Sequence, residues 1–426
     1  MNPLTASRVV SRRLRDSAPG YFERAFALVV LFLSTGGLME ILRTKRGIAL
    51  DDQREGDPFI QIIWLVVYGI TLLLLVRRAR AVSQLLARER LLVLLCTLGT
   101  ASVLWSVAPD VTLRRTVGLL GTTAFGVYLG SRYTAHELLR LMSWMLAAAA
   151  ALSLAFVAFA PAYGIDDEGA WRGIFAHKNF LGHVMALAIV GFLFELRRRG
   201  AVNRLAIVTG FAVACLALLG SRSVAGLVTA LVVVVTMPLW PIFRLRRTLA
   251  VAAAVFALMA IATAVGWLIT SPEQAAAALG KDATLTGRTG LWFLVADAIA
   301  YRPWFGYGYG AFWLGPTGES AAIWAALSWQ PAEAHNGFLD LGLQLGMVGV
   351  VLFLTGFAIA VWRAVGVIRR TDTAYALWPM ACLTFIVIAN LAETMILVWN
   401  SIFWILYVVT CVWLIRAKSD ASRVAA

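Results

Sequence analysis

PFIQIIWLVVYGITLLLLV, residues 58–76, runs nineteen positions without a charge and is stopped at once by Arg77, Arg78 and Arg80. About 20 apolar residues in a helix cover the roughly 30 Å of hydrocarbon in a bilayer, so this stretch reads as a membrane span with a basic flank. The same grammar repeats along the 426 residues, of which 61% are hydrophobic and 14% charged. Mean hydropathy is +0.80. These values exclude a water-soluble globular chain and predict an all-α polytopic membrane protein. Spans are expected near 25–42, 58–76, 91–108, 116–130, 138–160, 178–196, 203–219, 224–243, 248–269, 337–362, 374–392 and 399–415, about twelve in all.

Residues 1–24 then form an N-terminal segment, 25–415 one transmembrane domain and 416–426 a tail. With the N-terminus inside, about two thirds of the 37 Lys and Arg fall on the cytoplasmic side, including the clusters RRAR, RRRG, RLRR and the final RAK. The positive-inside rule favours that orientation, with both termini cytoplasmic in a bacterial inner membrane. One long segment, about 271–336, is left on the outer, periplasmic face, where function is expected to concentrate. Within it, GRTGLWFLVADAIAY from Gly287 has helical apolar spacing and stops at Arg302 and Pro303, as an amphipathic helix on the membrane surface would. GYGYGAFW, residues 306–313, reads as a flexible turn rather than a phosphate loop.

A net charge of +14 does not point to nucleic acid, because the arginines sit in short clusters between apolar runs instead of forming a basic face with interleaved aromatics. Cys96, Cys215, Cys382 and Cys411 lie inside apolar stretches with neither CxxC nor Cys/His spacing, so no disulfide framework or zinc site is expected. Arg8, Arg12, Arg13 and Arg15 precede the first apolar run, no small-residue cleavage site follows it, and it reads as an uncleaved span.

Cations near the outer membrane face carry the chemical signal. WRGIFAHKN holds Arg172, His177 and Lys178; SRSVAG holds Arg222; GRTGLW holds Arg288; EAHNG holds Glu333, His335 and Asn336. Taken singly, each such charge is as readily a snorkelling anchor as a functional group. Together they suit an anion clamp, since a guanidinium fork matches phosphate oxygens and Lys178 opens a span whose free amides also favour phosphate. As a neutral imidazole, His335 can take a proton from a sugar hydroxyl. Glu333 either orients His335 or is a solvated loop carboxylate. His183 reads as a structural hydrogen-bonder inside its span, and Asp166, Asp167 and Glu168 as a solvated acidic run. The outer loops show no DxD or tight carboxylate pair, so neither metal nor cofactor is expected.

HNGFLDLGLQLGMVG, His335 to Gly349, is His-Asn, nine residues, then Gly-x-x-Gly, and it resembles the signature of the O-antigen ligase and Wzy-type polymerase superfamily. LWSVAPDVTLRRT from Leu104, WRGIFAHKNFLG from Trp171, SRSVAG from Ser221, and GRTGLW followed by RPWFGYGYGAFW resemble further blocks of that family in the same order, over roughly residues 90–400. The resemblance implies a metal-independent glycosyltransferase with a GT-C-like fold. Its donor would be an undecaprenyl-diphosphate-linked oligosaccharide, and its acceptor a glycan or a lipid A core. By carry-over, Arg222 and Arg288 hold the diphosphate and His335 activates the acceptor hydroxyl, while Arg172, Lys178, His177, Asn336 and Glu333 line the substrate site. GIFAHKNFLG is most similar to ExoQ-type exopolysaccharide polymerases, and Val350 stands where ligases carry a Thr or small polar residue; both favour a polymerase over a ligase. Membrane lipids and polysaccharide-assembly proteins are the other expected partners. A secondary transporter is the rival from another class, but it would need a matched pair of broken spans and more ionisable residues at mid-membrane depth.

Overall fold

Why the helices begin where they do is visible at their caps. In the computed structural model, which describes residues 18–39, 56–197, 203–244, 288–327, 329–371 and 373–424, thirteen principal helices follow in order. They are α1 (Tyr21–Ser34), α2 (Pro58–Val76), α3 (Ala79–Leu86), α4 (Arg90–Ala101), α5 (Pro109–Arg132), α6 (Ala135–Phe159), α7 (Lys178–Leu196), α8 (Arg204–Gly220), α9 (Val224–Thr236), α10 (Arg288–Tyr301), α11 (Gly337–Arg370), α12 (Trp378–Asn390) and α13 (Ile402–Val424). Asp57 accepts from Phe59 N at 2.8 Å ahead of Pro58, and Thr134 and Glu137 cap α6 reciprocally. Such caps satisfy amides that the first turn leaves unpaired.

Among the described residues there is no strand, only an isolated antiparallel bridge between Ile165 and Trp171. Five helical stretches, Pro58–Val76, Ala135–Phe159, Lys178–Leu196, Val224–Arg244 and Gly337–Arg370, are long and apolar enough to cross a bilayer, and shorter apolar helices accompany them. The expected span at 248–269 and the first part of the long outer segment, 271–287, lie outside the described residues. So do residues 1–17 of the N-terminal segment.

Helix α7 is the axis of the site-bearing half. It is largely buried and packs against α6, α8, α9 and α12, while α13 packs against α5, α11 and α12. Arg132 clasps Glu23 through both carboxylate oxygens, 2.8 and 2.7 Å, tying α1 to the end of α5.

Two expectations are corrected here. GYGYGAFW is not a flexible turn: Gly306–Gly315 are buried, with Tyr307 N on Leu343 O (2.8 Å) and Tyr309 N on Ser102 Oγ (2.9 Å). The span beginning at Gly337 is likewise not continuous. Gly346 has φ +61°, which breaks α11 into a half-helix, 337–345, and a long helix, 347–370. The groups freed by the break pair with the loop before it. Met347 N donates to Pro303 O and Val348 N to Trp304 O, while Leu343 O and Gln344 O accept from Tyr307 N and Gly308 N. Non-helical backbone at membrane depth is tolerated where protein supplies its partners in this way. A Cβ at Gly346 would overlap the Trp304 backbone, so the residue is required twice, by conformation and by space.

Candidate active site

The half-helix 337–345 delivers the first site residue. Asn336 caps it, its Oδ1 accepting from Phe338 N (3.0 Å) and Leu339 N (3.2 Å), and Gly337 has no side chain because a Cβ would run into Asn390 Oδ1. His335, immediately before the cap, is held at φ +49°. Left-handed backbone costs a non-glycine residue roughly 1 kcal/mol, which the surroundings must overcome. They do so around Asp340, whose carboxylate accepts from Ala334 N (3.0 Å), Trp313 Nε1 (2.6 Å) and the Thr394 hydroxyl. Trp292 Nε1 adds a bond to Ala334 O at 2.9 Å.

Facing His335 is Glu393, on the turn between α12 and α13. Asn390 shapes that turn by accepting from Met395 N (2.9 Å) and Ile396 N (3.1 Å). The Glu393 side chain is only 8% exposed, and each of its oxygens is used. Oε2 lies 3.1 Å from His335 Nδ1, while Oε1 accepts from Arg288 at 2.9 Å and from Asn179 Nδ2 at 2.7 Å. A second Arg288 nitrogen donates to Ala392 O at 2.7 Å. Burial alone would raise the Glu393 carboxyl, but the hydrogen bond to His335 and the charge of Arg288 outweigh it and hold the group below the usual carboxylate range.

Glu333 lies 3.4 Å from the same His335 nitrogen, with its side chain 25% exposed. Burial first, then the charges of Glu393 and Asp340, push its carboxyl well above the ordinary value. The two glutamates are thus pushed in opposite directions, Glu393 toward the ionised form and Glu333 toward the neutral one. Ligand atoms of Glu333, His335 and Glu393 lie within 4.8 Å of one another, which is the spacing a bound cation would need.

The other cations gather on the neighbouring corner. Asn179 connects the two, since its Oδ1 accepts from Ser223 Oγ at 3.1 Å, and Ser223 caps α9 directly after Arg222. Arg222, like His335, has positive φ, +50°, at the position after a helix end that glycine usually takes. Its guanidinium donates to Glu168 O at 3.2 Å. Lys178 pairs with the Glu168 carboxylate and lies 3.8 Å from Asp166 Oδ2. The acidic run read as solvated is thus partly engaged, because Asp166 also accepts from Glu168 N and Ala170 N and folds the turn back toward Lys178. His177 caps α7 by accepting from Asn179 N at 3.2 Å; burial lowers its pKa, partly offset by the negative charge of Glu393.

Arg172 is bonded away from both corners: it donates to Tyr163 O (2.9 Å) and Ala162 O (3.2 Å), bracing the preceding loop. His183 bonds Asn179 O at 2.9 Å within its helix, as a structural residue would. An apolar cavity of about 490 Å³, lined by residues such as Leu72, Leu92, Cys96, Leu120 and Val127, shares no residue with the site.

Two residues at the centre, Glu393 and Asn179, were missed by sequence reasoning. Glu393 registers in hydropathy only as a charge at a span end, 58 positions from its histidine partner. The one available signal was that an intramembrane-edge carboxylate is costly unless used.

Comparison with known proteins adds the following. The O-antigen ligase family, Wzy_C, matches residues 205–354, a stretch that contains Arg222, Arg288, Glu333, His335 and Asn336. The exopolysaccharide production protein ExoQ of Rhizobium meliloti (strain 1021) is 27% identical over 306 residues, 69% of either chain. A putative polysaccharide ligase, RP358, of Rickettsia prowazekii (strain Madrid E) is 37% identical over 79 residues, 18% of this chain and 20% of that one.

Proposed function

We propose that the chain, similar over residues 205–354 to the O-antigen ligase family and over 69% of its length to ExoQ, is a membrane enzyme of ligase or polymerase type in exopolysaccharide biosynthesis, and that it carries out a specific reaction. It transfers the glycan of an undecaprenyl-diphosphate-linked oligosaccharide to the hydroxyl of another glycan at the periplasmic face of the inner membrane, lengthening a polysaccharide. The observation that carries the reading is the Glu393 bridge, in which one buried carboxylate holds both an arginine suited to phosphate and a histidine suited to a hydroxyl.

With Nδ1–H donated to ionised Glu393, the other ring nitrogen of His335, Nε2, is the basic one. In the reaction the acceptor oxygen attacks the anomeric carbon, Nε2 takes the hydroxyl proton, and the bond from sugar to diphosphate breaks. Undecaprenyl diphosphate leaves with the electron pair. Negative charge grows on that leaving group, where Arg288, Arg222 and Lys178 are the fixed positive counterparts. Guanidinium charge in a partly dry site supplies what a divalent cation would otherwise provide. Arg172 and Asn336 act through the loop and the helix cap that they brace.

Purified protein given an undecaprenyl-diphosphate oligosaccharide should form longer glycan with and without chelator. A strict metal requirement would instead place an ion among Glu333, His335 and Glu393. Transfer only to a lipid A core would make the enzyme a ligase. The proposed orientation, about twelve spans with both termini cytoplasmic, is checked with single cysteines in a background lacking the four native ones. Cysteine at exposed Glu319 should react with an impermeant reagent in intact spheroplasts, and cysteine at exposed Arg80 should not; the reverse pattern would move the site to the cytoplasm.

A further inference from the structure

We infer that the Glu168 carboxylate occupies the place of a donor phosphate and must yield Lys178 to it, so that Glu168 sets donor affinity and helps to expel the undecaprenyl diphosphate product. The inference rests on the diphosphate reading of Arg222 and Lys178 and deepens it.

Three observations converge. First, two of the three cations assigned to the donor are engaged by one turn, Lys178 by the Glu168 side chain and Arg222 by the Glu168 carbonyl. A carboxylate offers the same anionic oxygens as a phosphate, so it satisfies the ammonium while the donor is absent. Second, the turn is preformed. Asp166 Oδ1 accepts from Glu168 N (3.0 Å) and Ala170 N (2.8 Å), Gly169 N donates to Asp166 O (2.9 Å), and Trp171 N anchors the far side on Gly220 O (2.9 Å) at the end of α8. Glu168 is thereby fixed to the elements that carry Arg222. Third, the Glu168 side chain is 76% exposed, whereas that of Lys178 is 21% exposed. The acid can swing into water while the base stays on the site, which makes exchange easy in that direction.

A diphosphate carries more charge than one carboxylate and wins the lysine when donor arrives. After transfer, the same glutamate competes with the product, which has lost its glycan and keeps only its diphosphate and lipid contacts. Glu168 is therefore a residue that tunes binding and release, and it touches no reacting atom.

Binding of undecaprenyl diphosphate to the full-length protein in lipid nanodiscs tests this, with turnover followed in parallel. Glu168→Gln should tighten undecaprenyl diphosphate by about two- to fivefold, the range that one exposed ion pair allows. It should also strengthen product inhibition and lower KM for the donor, with kcat unchanged or reduced by slower release. Asp167→Asn, which removes the neighbouring charge, should do neither. In Lys178→Met the effect of Glu168→Gln should vanish, because the two act through one contact. Unchanged or weaker binding in Glu168→Gln, or an effect that persists without Lys178, overturns the exchange while leaving the clamp intact if Arg222→Lys and Arg288→Lys still weaken binding. If binding ignores Arg222, Arg288 and Lys178 alike, the clamp falls and the exchange with it.

Discussion

The two cation corners joined by Asn179 are built on opposite principles. Arg288 sits against a carboxylate that is 8% exposed and shares it with His335, so its position is settled before any substrate binds. Lys178 and Arg222 sit against a turn whose glutamate is largely in water. Buried, multiply bonded charges are expensive to rearrange and hold geometry; exposed pairs are weak and exchange readily. The difference teaches where chemistry and where traffic should reside. On the proposed function, bond-breaking belongs at the rigid corner, and arrival and departure of the lipid diphosphate belong at the loose one.

The harshest way to break that division is at the rigid corner. His335→Ala should lower kcat by about 10²- to 10⁴-fold, the usual worth of a general base, with donor binding nearly intact. His335→Gln should remain poor despite keeping a hydrogen bond. Next in size is Arg288→Lys, expected to cost about 10²- to 10³-fold in kcat, because lysine cannot give one nitrogen to Ala392 O, another to Glu393 and its charge to the leaving group. Arg222→Lys should be milder, about tenfold or less and mainly in KM, and its penalty should shrink as ionic strength rises because the exposed corner is screened. Equal losses at Arg222 and Arg288 would erase the contrast.

The smallest effect concerns Glu333. A carboxyl raised in the folded protein binds its proton more tightly there than in the unfolded chain, so it contributes stability below the unfolded pKa and loses that contribution as pH rises through the folded value. Wild-type thermal stability should therefore fall from pH 5 toward alkaline pH more steeply than that of Glu333→Gln, which keeps the neutral form throughout. Parallel curves for the two proteins would show that Glu333 carries no such proton.

Span positions were legible because hydropathy and caps are local. Pro58–Val76 and Lys178–Leu196 have the residues expected of them, with Asp57 and His177 supplying the cap in each case. His335, Arg288 and Arg222 stood out in the sequence because a motif and an uncommon charge coincide, and the structure sets His335 and Arg288 on one carboxylate. Glu393 was not, since its meaning depends on the α12–α13 turn meeting residues 179, 288 and 335, contacts that no local pattern encodes. Nor was the break at Gly346, where an apolar sequence conceals a change of backbone direction. The acidic run is solvated at Glu168, as read, but its pairing with Lys178 depends on Asp166 folding the turn back, which no local pattern encodes.

The break in α11 also bears on how the chain is made. Its four backbone partners come from residues 303–308, which leave the ribosome before residue 346 does. The receptor for the broken turn is therefore synthesised first, and the half-helix bearing His335 emerges between the two halves of its own lock. A newly made chain stalled just after residue 345 would hold the docking loop without Met347 and Val348, whereas some tens of residues later the pairing could close inside the membrane. Assembly of the reactive centre is in this sense ordered by the sequence: the half-helix docks when the following span is delivered, and His335 meets Glu393 only after α12 has followed.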